Sequence, residues 1–342
     1  MKKLTLVICA LNEGDEPKKT IASIYEHTPM DEVDIILFDD GSEEKIELPR
    51  KYKDVKLIRH GQRMGIPYCR DNGVELAETK YVGILNARMR FTPGWYEKVI
   101  KHLEAEPKTL FCTTSVVLWD MDAKQMREYA KSLPVDSDKQ KAEDHAKRLE
   151  GMKNVDEIDE DKERKYGADL IGWHEDSKTL MQVNWRKPED KDCYEIPCVL
   201  GANYFTTRKW WKHIKGEHGL IDYGSCEEFI SLKTWAFGGK VKIIKDVEIG
   251  NIYRQFKTYS DNLDHTIWNK LFVAFTLLPW KKAYGYMHKI KQVPKFAKNY
   301  QTYRDMLIRR MPYIIERRKE FEKLTVNNVE HLIIDKNGSK RR

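Results

Sequence analysis

The feature that most constrains this chain is a set of short apolar runs, each of which ends abruptly in polar residues. Four such runs occur near the N-terminus: Leu4–Ala10, Val33–Phe38, Val55–Ile58 and Tyr81–Leu85. Their aliphatic and β-branched content is typical of strands buried on both faces of a sheet. Apolar residues recur at helical spacing between them, in Pro17–Tyr25 and Ile66–Ala77. Strands that alternate with helices predict βαβ units and therefore an α/β fold.

Polar residues follow three of these predicted strands directly. They are Asn12-Glu13, Asp39-Asp40 and Asn86-Ala87-Arg88. Ligands of open α/β sheets bind at the carboxyl ends of the strands. We therefore expect these residues to lie close together and to form a ligand site.

The middle of the chain changes character. Residues 120–190 are highly charged, with an acidic patch at Asp156–Glu163, and their composition favours helices over strands. We predict an insertion or mobile flap over the sheet. Apolar density returns at Cys198–Phe205, and a helix is predicted for Glu227 to Trp235 before a strand at Val241–Ile244. From about residue 260 onward the spacing of apolar residues again indicates helices.

Bulk composition favours a folded protein without a membrane anchor. Hydrophobic residues make up 41% of the 342 residues, which argues against disorder. No apolar stretch reaches the roughly 20 residues that span a bilayer. The run from Leu4 to Leu11 is too short for a secretory leader and is better explained as a strand. Six cysteines without a close CxxC pair predict free thiols and a cytoplasmic location.

Positive charge is concentrated in the last quarter of the chain. Residues 281–342 hold 17 Lys and Arg against six Asp and Glu, while the whole chain carries +7. This basic segment predicts an acidic partner such as nucleic acid, an anionic lipid surface or an anionic glycan, or else a solvated helical face. Aromatic residues interleave with the charges, which is compatible with a surface that follows phosphates: Tyr284, Tyr286, Phe296, Tyr300, Tyr303 and Tyr313.

Four segments resemble, in the same order, signature sequences of the family 2 glycosyltransferases. They are Val7–Glu13, Phe38–Ser42, Gly65–Gly73, and Gly201–Phe205 followed by Arg208 and Gly224–Trp235. The last segment is also similar to the polypeptide N-acetylgalactosaminyltransferases. The resemblance implies a GT-A fold, with a Rossmann-like mixed sheet over residues 1–255 and a helical, basic C-terminal region over 256–342. It also implies a glycosyltransferase that uses a nucleotide-sugar donor, for which UDP is the expected nucleotide.

The resemblance implies which residues hold that nucleotide. It assigns Asn12, Glu13, Asp39, Asp40 and Arg70 to this role. Carboxylates accept hydrogen bonds from a uracil N–H or from ribose hydroxyls, and a guanidinium suits base stacking or phosphate contact. The alternatives are an ordinary polar turn at the two aspartates and a surface salt bridge at Arg70.

Two carboxylates are candidates for catalysis. An inverting transferase needs a base within reach of the acceptor hydroxyl. Glu227 and Glu228 match the acidic pair of the family signature, with Glu227 on the base position when the count runs back from Trp235. The alternative role is the stabilisation of a helix N-terminus. Both roles can hold together.

The chain departs from the family where a metal ion is expected. The family carries D-x-D or D-x-H after the fourth strand, but this chain has Asn86-Ala87-Arg88, and Asn251 replaces a downstream histidine. We hypothesise a transferase that needs little or no metal, in which Asn86, Arg88 and Arg254 face the diphosphate. The competing hypothesis is a catalytically degenerate relative that still binds a ligand.

The acceptor is the least constrained feature of the predicted reaction. The basic segment favours a hydroxymethylated DNA base, as in phage-type DNA modification, with the base flipped out of the stack toward Glu227. A cell-envelope polysaccharide glycosyltransferase is the alternative acceptor class, and a purely nucleic-acid-binding protein is the alternative outside enzymes. Trp210, Trp211 and Trp235 are either stacking platforms or core residues.

Overall fold

The computed structural model describes residues 2–152, 154–175, 178–254 and 262–336. The strands are β1 (Leu4–Ala10), β2 (Val33–Asp39), β3 (Lys56–Arg59), β4 (Tyr81–Asn86), β5 (Met89–Arg90), β6 (Thr109–Trp119), β7 (Arg164–Lys165), β8 (Ala168–His174), β9 (Thr179–Trp185), β10 (Cys193–Glu195), β11 (Asn203–Thr207), β12 (Lys240–Tyr253) and β13 (Ile333–Lys336). The helices are α1 (Glu16–His27), α2 (Ile66–Leu76), α3 (Trp95–Ala105), α4 (Ala123–Ser132), α5 (Asp136–Leu149), α6 (Arg208–His213), α7 (Cys226–Ala236), α8 (Leu263–Leu277), α9 (Trp280–Lys291), α10 (Pro294–Ala297) and α11 (Tyr300–Leu324).

The main sheet is mixed, as the resemblance implied. Its strand order is β10-β12-β6-β11-β4-β1-β2-β3, with β5 paired to β12 and β7 to β6. Strands β3, β2, β1 and β4 are parallel, whereas β11 runs antiparallel to β4. The predicted α/β class is therefore confirmed, and β11 is the point where the parallel half meets the rest of the sheet.

Both faces of the sheet are covered, which explains the continuous apolar runs. Leu6 and Ile8 of β1 pack toward α1 and α3, while Val7 between them packs into the core on the opposite face. Successive side chains of a strand point to opposite faces. A strand covered on both sides therefore needs apolar residues at every position.

Strand register gathers the polar strand ends at one edge. Ala10 lies beside Asp39, and Cys9 lies beside Asn86, in the parallel pairs of β1 with β2 and β4. Residues that follow these positions leave the sheet side by side. The expected clustering of Asn12, Asp39 and Asn86 at one edge thus follows from the pairing.

The charged segment 120–190 holds strands as well as helices, so the prediction of helix-favouring sequence throughout was wrong. Helices α4 and α5 pack on each other as expected, but β8 and β9 form an antiparallel hairpin. Leu170, Trp173 and Leu180 of this hairpin are buried in the main core. The two strands were not predicted because the segment as a whole is highly charged, although its charged residues lie mainly outside the strands.

The long strands β6 and β12 were missed or predicted too short. They pair in parallel, with a register shift between Ile244 and Glu248. Beyond this irregularity, β12 continues to Tyr253 and carries Asn251 to the edge of the sheet that ends in Asn86. The irregularity interrupts the apolar alternation, which is why only Val241–Ile244 was predicted as a strand.

The described part of the C-terminal region is largely helical, as predicted, and its last element is a strand. Strand β13 pairs in parallel with β8, with Ile333 beside Leu170. The proposed boundary at 255/256 and the last residues of the chain, 337–342, lie outside the described residues, so the domain division stays a prediction. None of the helices that the structure describes has the length and apolar character of a membrane span.

Most of the aromatic residues considered as stacking platforms belong to the core instead. Trp210 and Trp211 are 4% and 2% exposed. Trp235 is partly buried and donates from Nε1 to the Ile196 carbonyl. In the basic segment, Tyr286 and Tyr303 are likewise buried, so the interleaved aromatics do not form a continuous surface. Their spacing reflects helix packing.

Candidate active site

A cleft of about 550 Å³ opens at the carboxyl edge of β1 and β4. Its far wall is the β8–β9 hairpin, which contributes Met181 to Val183 and Trp185. Seven of the ten predicted site residues line it: Glu13, Arg70, Asn86, Arg88, Glu227, Glu228 and Arg254. Asn12, Asp39 and Asp40 do not.

Two arginines converge on one carboxylate at the sheet edge. Glu13 Oε2 lies 2.9 Å from Arg254 and 3.3 Å from Arg88. Arg254 also reaches Asp120 at 3.5 Å. Burial raises the pKa of Glu13, although the two guanidinium groups act to lower it. Glu13 therefore holds the arginine pair together, and Glu13 and Asp120 offset part of the positive charge at this end of the cleft.

The residues present do not fit the metal ion that the resemblance implies. Asn86 and Asn251 occupy two of the three expected ligand positions and face each other, with Asn86 Nδ2 3.5 Å from Asn251 Oδ1, and Arg88 occupies the third. A divalent cation prefers carboxylates or imidazole. Here two neutral amides lie beside the guanidinium of Arg88, whose buried Nε forms an ion pair with Glu13 at 3.3 Å. These amide and guanidinium groups suit an anion better than a cation, and the proposed reaction has no step that requires a metal.

Another group of potential metal ligands does not line the cleft. Within the described parts of the chain, Asp40, His60 and Cys69 bring ligand atoms within 4.8 Å of one another. The carboxylate of Asp40 already accepts hydrogen bonds from the N–H groups of Met64 and Gly65, at 2.8 and 2.9 Å, and from His60. These contacts fasten the loop before α2, and they account for the buried carboxylate.

Asn12 and Asp39 are similarly engaged by the protein. Asp39 Oδ1 accepts from the Ser42 N–H at 3.0 Å, and Arg59 pairs with Oδ2. Burial acts to raise the pKa of Asp39, but these hydrogen bonds outweigh it and lower the pKa. Asn12 Oδ1 accepts from the Glu43 N–H at 2.9 Å. Their assignment to the nucleotide stays a prediction.

The predicted acidic pair lies in the first turn of α7. Glu227 has a side chain 21% exposed in the cleft and accepts a hydrogen bond from Arg70 at 3.2 Å. Gly201 packs closely against this side chain, because a Cβ there would lie 3.1 Å from Glu227 Oε1 and would require the carboxylate to shift. Glu228 is 8% exposed. Burial, aided by the charge of Glu227, raises the pKa of Glu228 to about 7, against the opposing effect of Lys270.

The raised pKa of Glu228 predicts a pH-dependent stability. Its pKa is about 7 in the folded chain, against an ordinary value of 4.5, so the folded chain binds the proton more tightly than the unfolded chain. Ionisation of this carboxyl therefore lowers stability as pH rises from about 4.5 to 7. We expect Glu228→Gln to remove about 3 kcal/mol of the wild-type loss in unfolding free energy between pH 5 and 8.

Urea unfolding at the two pH values measures this difference. Glu97→Gln is the matched control, since Glu97 is also an acidic residue in the first turn of a helix but is exposed. Its pH dependence should equal that of the wild type. Parallel stability curves for Glu228→Gln and wild type would contradict the assignment.

Arg70 is buried at the floor of the cleft, so the alternative of a surface salt bridge was wrong. Its side chain is 5% exposed, and Nη1 lies 3.0 Å from Glu217 and 3.2 Å from Glu227. The guanidinium also lies over the ring of Tyr204, 5.3 Å from its centroid. The guanidinium of Arg70, which was predicted to contact the nucleotide, thus forms ion pairs with two carboxylates of the protein.

Gly65 is the first residue of the segment that contains Arg70, and its backbone explains why glycine stands there. Its φ is +95°, and a Cβ would lie 2.6 Å from Asp222 Cα. The Ile66 N–H donates to the Asp222 carbonyl at 2.8 Å. This contact joins the start of α2 to the loop before α7, so it helps to align Arg70 with Glu227.

We expect Gly65→Ala to lower the unfolding free energy by about 3 kcal/mol, since it adds both backbone strain and a steric clash. Chemical denaturation measures the loss. Gly61→Ala in the same loop is the control, because a Cβ at Gly61 meets nothing within 4 Å. Its loss should stay below about 0.5 kcal/mol. Equal losses in the two variants would refute this explanation.

Sequence reasoning missed several residues that line the cleft or pack behind it. Glu217 stands in a loop without any local pattern, and only the folded chain shows that it pairs with Arg70. Lys270 donates to the Leu180 and Met181 carbonyls and so joins α8 to the hairpin. Tyr204 belongs to the recognised segment Gly201–Phe205, so its place in that segment could have indicated a role near the site.

Comparisons with known proteins agree with this geometry. Residues 5–150 match the sequence profile of glycosyl transferase family 2. Probable polypeptide N-acetylgalactosaminyltransferase 8 of Homo sapiens is 26% identical over 281 residues, which cover 77% of this chain and 38% of that protein. Polypeptide N-acetylgalactosaminyltransferase 8 of Drosophila melanogaster is 22% identical, with 74% and 39% covered. The chain thus spans less than half the length of these relatives.

Two solved structures share the fold. The crystal structure of GalNAc-T7 with UDP, GalNAc and Mn²⁺ aligns with a TM-score of 0.61 at 18% identity, over 89% of this chain and 54% of that one. The structure of S. aureus TarS residues 1–349 with UDP-GlcNAc gives 0.50 at 9% identity, over 97% and 84%.

The fold is that of the GT-A glycosyltransferases. Within this fold, residues 5–150 match the glycosyl transferase family 2 model, and 77% of the chain is similar to a polypeptide N-acetylgalactosaminyltransferase. The predicted resemblance is therefore confirmed. The matches also support the prediction of a glycosyltransferase enzyme.

Proposed function

We propose that this chain transfers a sugar from a UDP-sugar to an acceptor hydroxyl. The observation that carries the proposal is the arrangement of charge in one cleft. An arginine pair, Arg88 and Arg254, lies at the sheet edge, and a carboxylate pair, Glu227 and Glu228, also lines the cleft. Glycosyl transfer needs both: cations for the diphosphate that leaves and a base for the hydroxyl that attacks. The UDP and UDP-GlcNAc held by the two similar structures support a uridine nucleotide.

The leaving diphosphate is bound by the arginine pair. Each guanidinium offers planar N–H donors that match phosphate oxygens. Glu13 neutralises part of this charge in the free protein, so the diphosphate competes with Glu13 for the same donors. Asn86 and Asn251 add neutral amide groups beside the arginines.

Glu227 is the proposed general base. It is the more exposed carboxylate of the pair and opens into the cleft, so it can reach an acceptor hydroxyl. Glu228 is buried, and its pKa of about 7 leaves it partly protonated at neutral pH. Two neighbouring carboxyls with different environments can divide their roles. Glu227 takes the proton, and Glu228 limits the negative charge around it.

Calorimetric titration of UDP, once with Mn²⁺ and once with EDTA, tests the proposal first. We expect equal binding in both buffers, because the site is built from guanidinium and amide groups. Binding only with Mn²⁺ would overturn the metal-free site. Equal binding without transfer from any UDP-sugar would favour the alternative of a degenerate relative that binds its ligand.

For the acceptor, we propose a hydroxymethylated DNA base. Basic side chains exposed on the C-terminal helices support an anionic polymer: Lys281, Lys291, Lys298, Arg304, Arg309, Arg310, Lys319 and Lys323. Phosphates would pair with these residues while the flipped base enters the cleft. A DNA acceptor would also place the reaction in the cytoplasm.

Radiolabelled transfer to three acceptor classes separates the alternatives. Hydroxymethylated DNA, a polypeptide mixture and a cell-envelope polysaccharide are supplied with the same donor. We expect labelled DNA and an affinity for DNA that falls about tenfold or more between 50 and 200 mM salt. Labelled polypeptide, as the names of the human and fly relatives suggest, or labelled polysaccharide would overturn the DNA acceptor and leave the donor site standing.

A further inference from the structure

One guanidinium joins two carboxylates that come from distant parts of the chain. Arg70 Nη1 lies 3.0 Å from Glu217 Oε1 and 3.2 Å from Glu227 Oε1. The side chain of Glu217 is fully buried, whereas that of Glu227 is 21% exposed in the cleft. Arg70 therefore connects a fixed internal carboxylate to the one that faces substrate.

Glu217 is held from several sides. The Tyr204 hydroxyl donates to its Oε1 at 2.7 Å. Its own N–H donates to Asp71 Oδ1 at 2.9 Å, and the Trp211 indole donates to the same oxygen at 2.9 Å. The buried Lys233 ammonium donates to the Gly216 carbonyl. The backbone and side chain of Glu217 are thus both anchored, and Glu217 cannot follow a movement of Glu227.

Arg70 cannot leave this anchor without a large cost. A buried carboxylate that loses its partner costs several kcal/mol, so the pair with Glu217 persists. The ring of Tyr204 also lies under the guanidinium, 5.3 Å from its centroid. A guanidinium fixed in this way holds Glu227 Oε1 at one place in the cleft.

We infer that Glu217 is a positioning residue for the proposed base Glu227 and that it acts through Arg70. This inference rests on the proposed function. It assigns Arg70 to the catalytic carboxylate and not to the nucleotide. Misplacement of a reacting group by about 1 Å costs up to about 100-fold in rate, so loss of the anchor reduces turnover without weakening nucleotide binding.

A double-mutant cycle tests the inference in the full chain. Glu217→Gln keeps an oxygen for the Tyr204 hydroxyl but removes the charge that holds Arg70. We expect kcat to fall about tenfold, while KM for the UDP-sugar and the Kd of UDP change less than about twofold. In the Glu227→Gln background the same substitution should cause no further loss, because the two residues act as a unit.

Glu75→Gln on α2 is the matched control. It removes an equivalent charge from an exposed carboxylate that pairs with Lys212, and its kcat should equal that of the wild type. Independent, multiplicative losses in the cycle would overturn the inference. A Kd of UDP that weakens about tenfold in Glu217→Gln would also overturn it, since Arg70 would then serve the nucleotide.

Tyr204→Phe is the second variant, for the case that Glu217→Gln does not fold. It loosens the anchor with less disruption and should lower kcat about threefold at unchanged UDP affinity; an unchanged kcat overturns the inference. If the wild type transfers no sugar, the proposed function fails separately. The cycle is then measured in unfolding free energies, where additive effects of Glu217→Gln and Glu227→Gln overturn the coupling through Arg70 and non-additive effects support it.

Discussion

Glu227→Gln is expected to lower kcat about 1,000-fold, the range in which general bases contribute. Glutamine has nearly the same shape and still accepts the hydrogen bond from Arg70, but it cannot take a proton from the acceptor. The Kd of UDP should change little, because the arginine pair and not Glu227 holds the diphosphate. Initial rates at saturating donor, with UDP release as the readout, measure the effect.

Glu97→Gln serves as the control for a role at the helix terminus. Both residues lie in the first turn of a helix, so a contribution through the helix dipole would appear in both variants. If Glu228→Gln lowered kcat about 1,000-fold while Glu227→Gln remained nearly fully active, Glu228 and not Glu227 would be the general base. Full activity in both cleft variants would leave the two glutamates a structural role only.

Removal of the arginine pair is the second large effect. We expect Arg88→Ala and Arg254→Ala each to lower kcat about 100-fold and to weaken UDP binding, because each removes a cation that stabilises the leaving diphosphate. Added Mn²⁺ should not restore either variant, since the neighbouring amides of Asn86 and Asn251 are poor ligands for it. Steady-state rates and calorimetry with and without Mn²⁺ give both quantities.

Arg90→Ala is the control for this pair. Arg90 forms a comparable salt bridge with Glu16 at 2.9 Å but lies outside the cleft lining. Its kcat should match that of the wild type. Rescue of Arg88→Ala by Mn²⁺ would contradict the metal-free site, as it would show that a cation can bind where the guanidinium was.

The sheet edge could be predicted because each part of it has a local signal. Strand β1 has the predicted bounds, Leu4–Ala10, since an apolar run and a polar stop coincide there. Parallel pairing then brings the ends of β1, β2 and β4 together without further information. Seven site residues in one cleft follow largely from this rule and from the recognised motifs.

The contacts inside the cleft could not be predicted in the same way. Arg70 and Glu217 are separated by 147 positions, and neither residue alone indicates the other. Asp39 and Asp40 are a different case, because a familiar motif predicts ligand contact, whereas the hydrogen bonds that both carboxylates accept from the protein are visible only in the folded chain. Strands β8 and β9 were not predicted because the high charge of residues 120–190 obscured the short runs of apolar residues within them.

The pairing of β13 with β8 ties the end of the described chain to the wall of the cleft. Strand β8 carries β9, and β9 supplies Trp185 to that wall. Truncation before Ile333 would leave a two-stranded ribbon, which is marginally stable by itself. Loss of β13 is therefore expected to loosen the hairpin and, with it, the wall of the cleft that Trp185 belongs to.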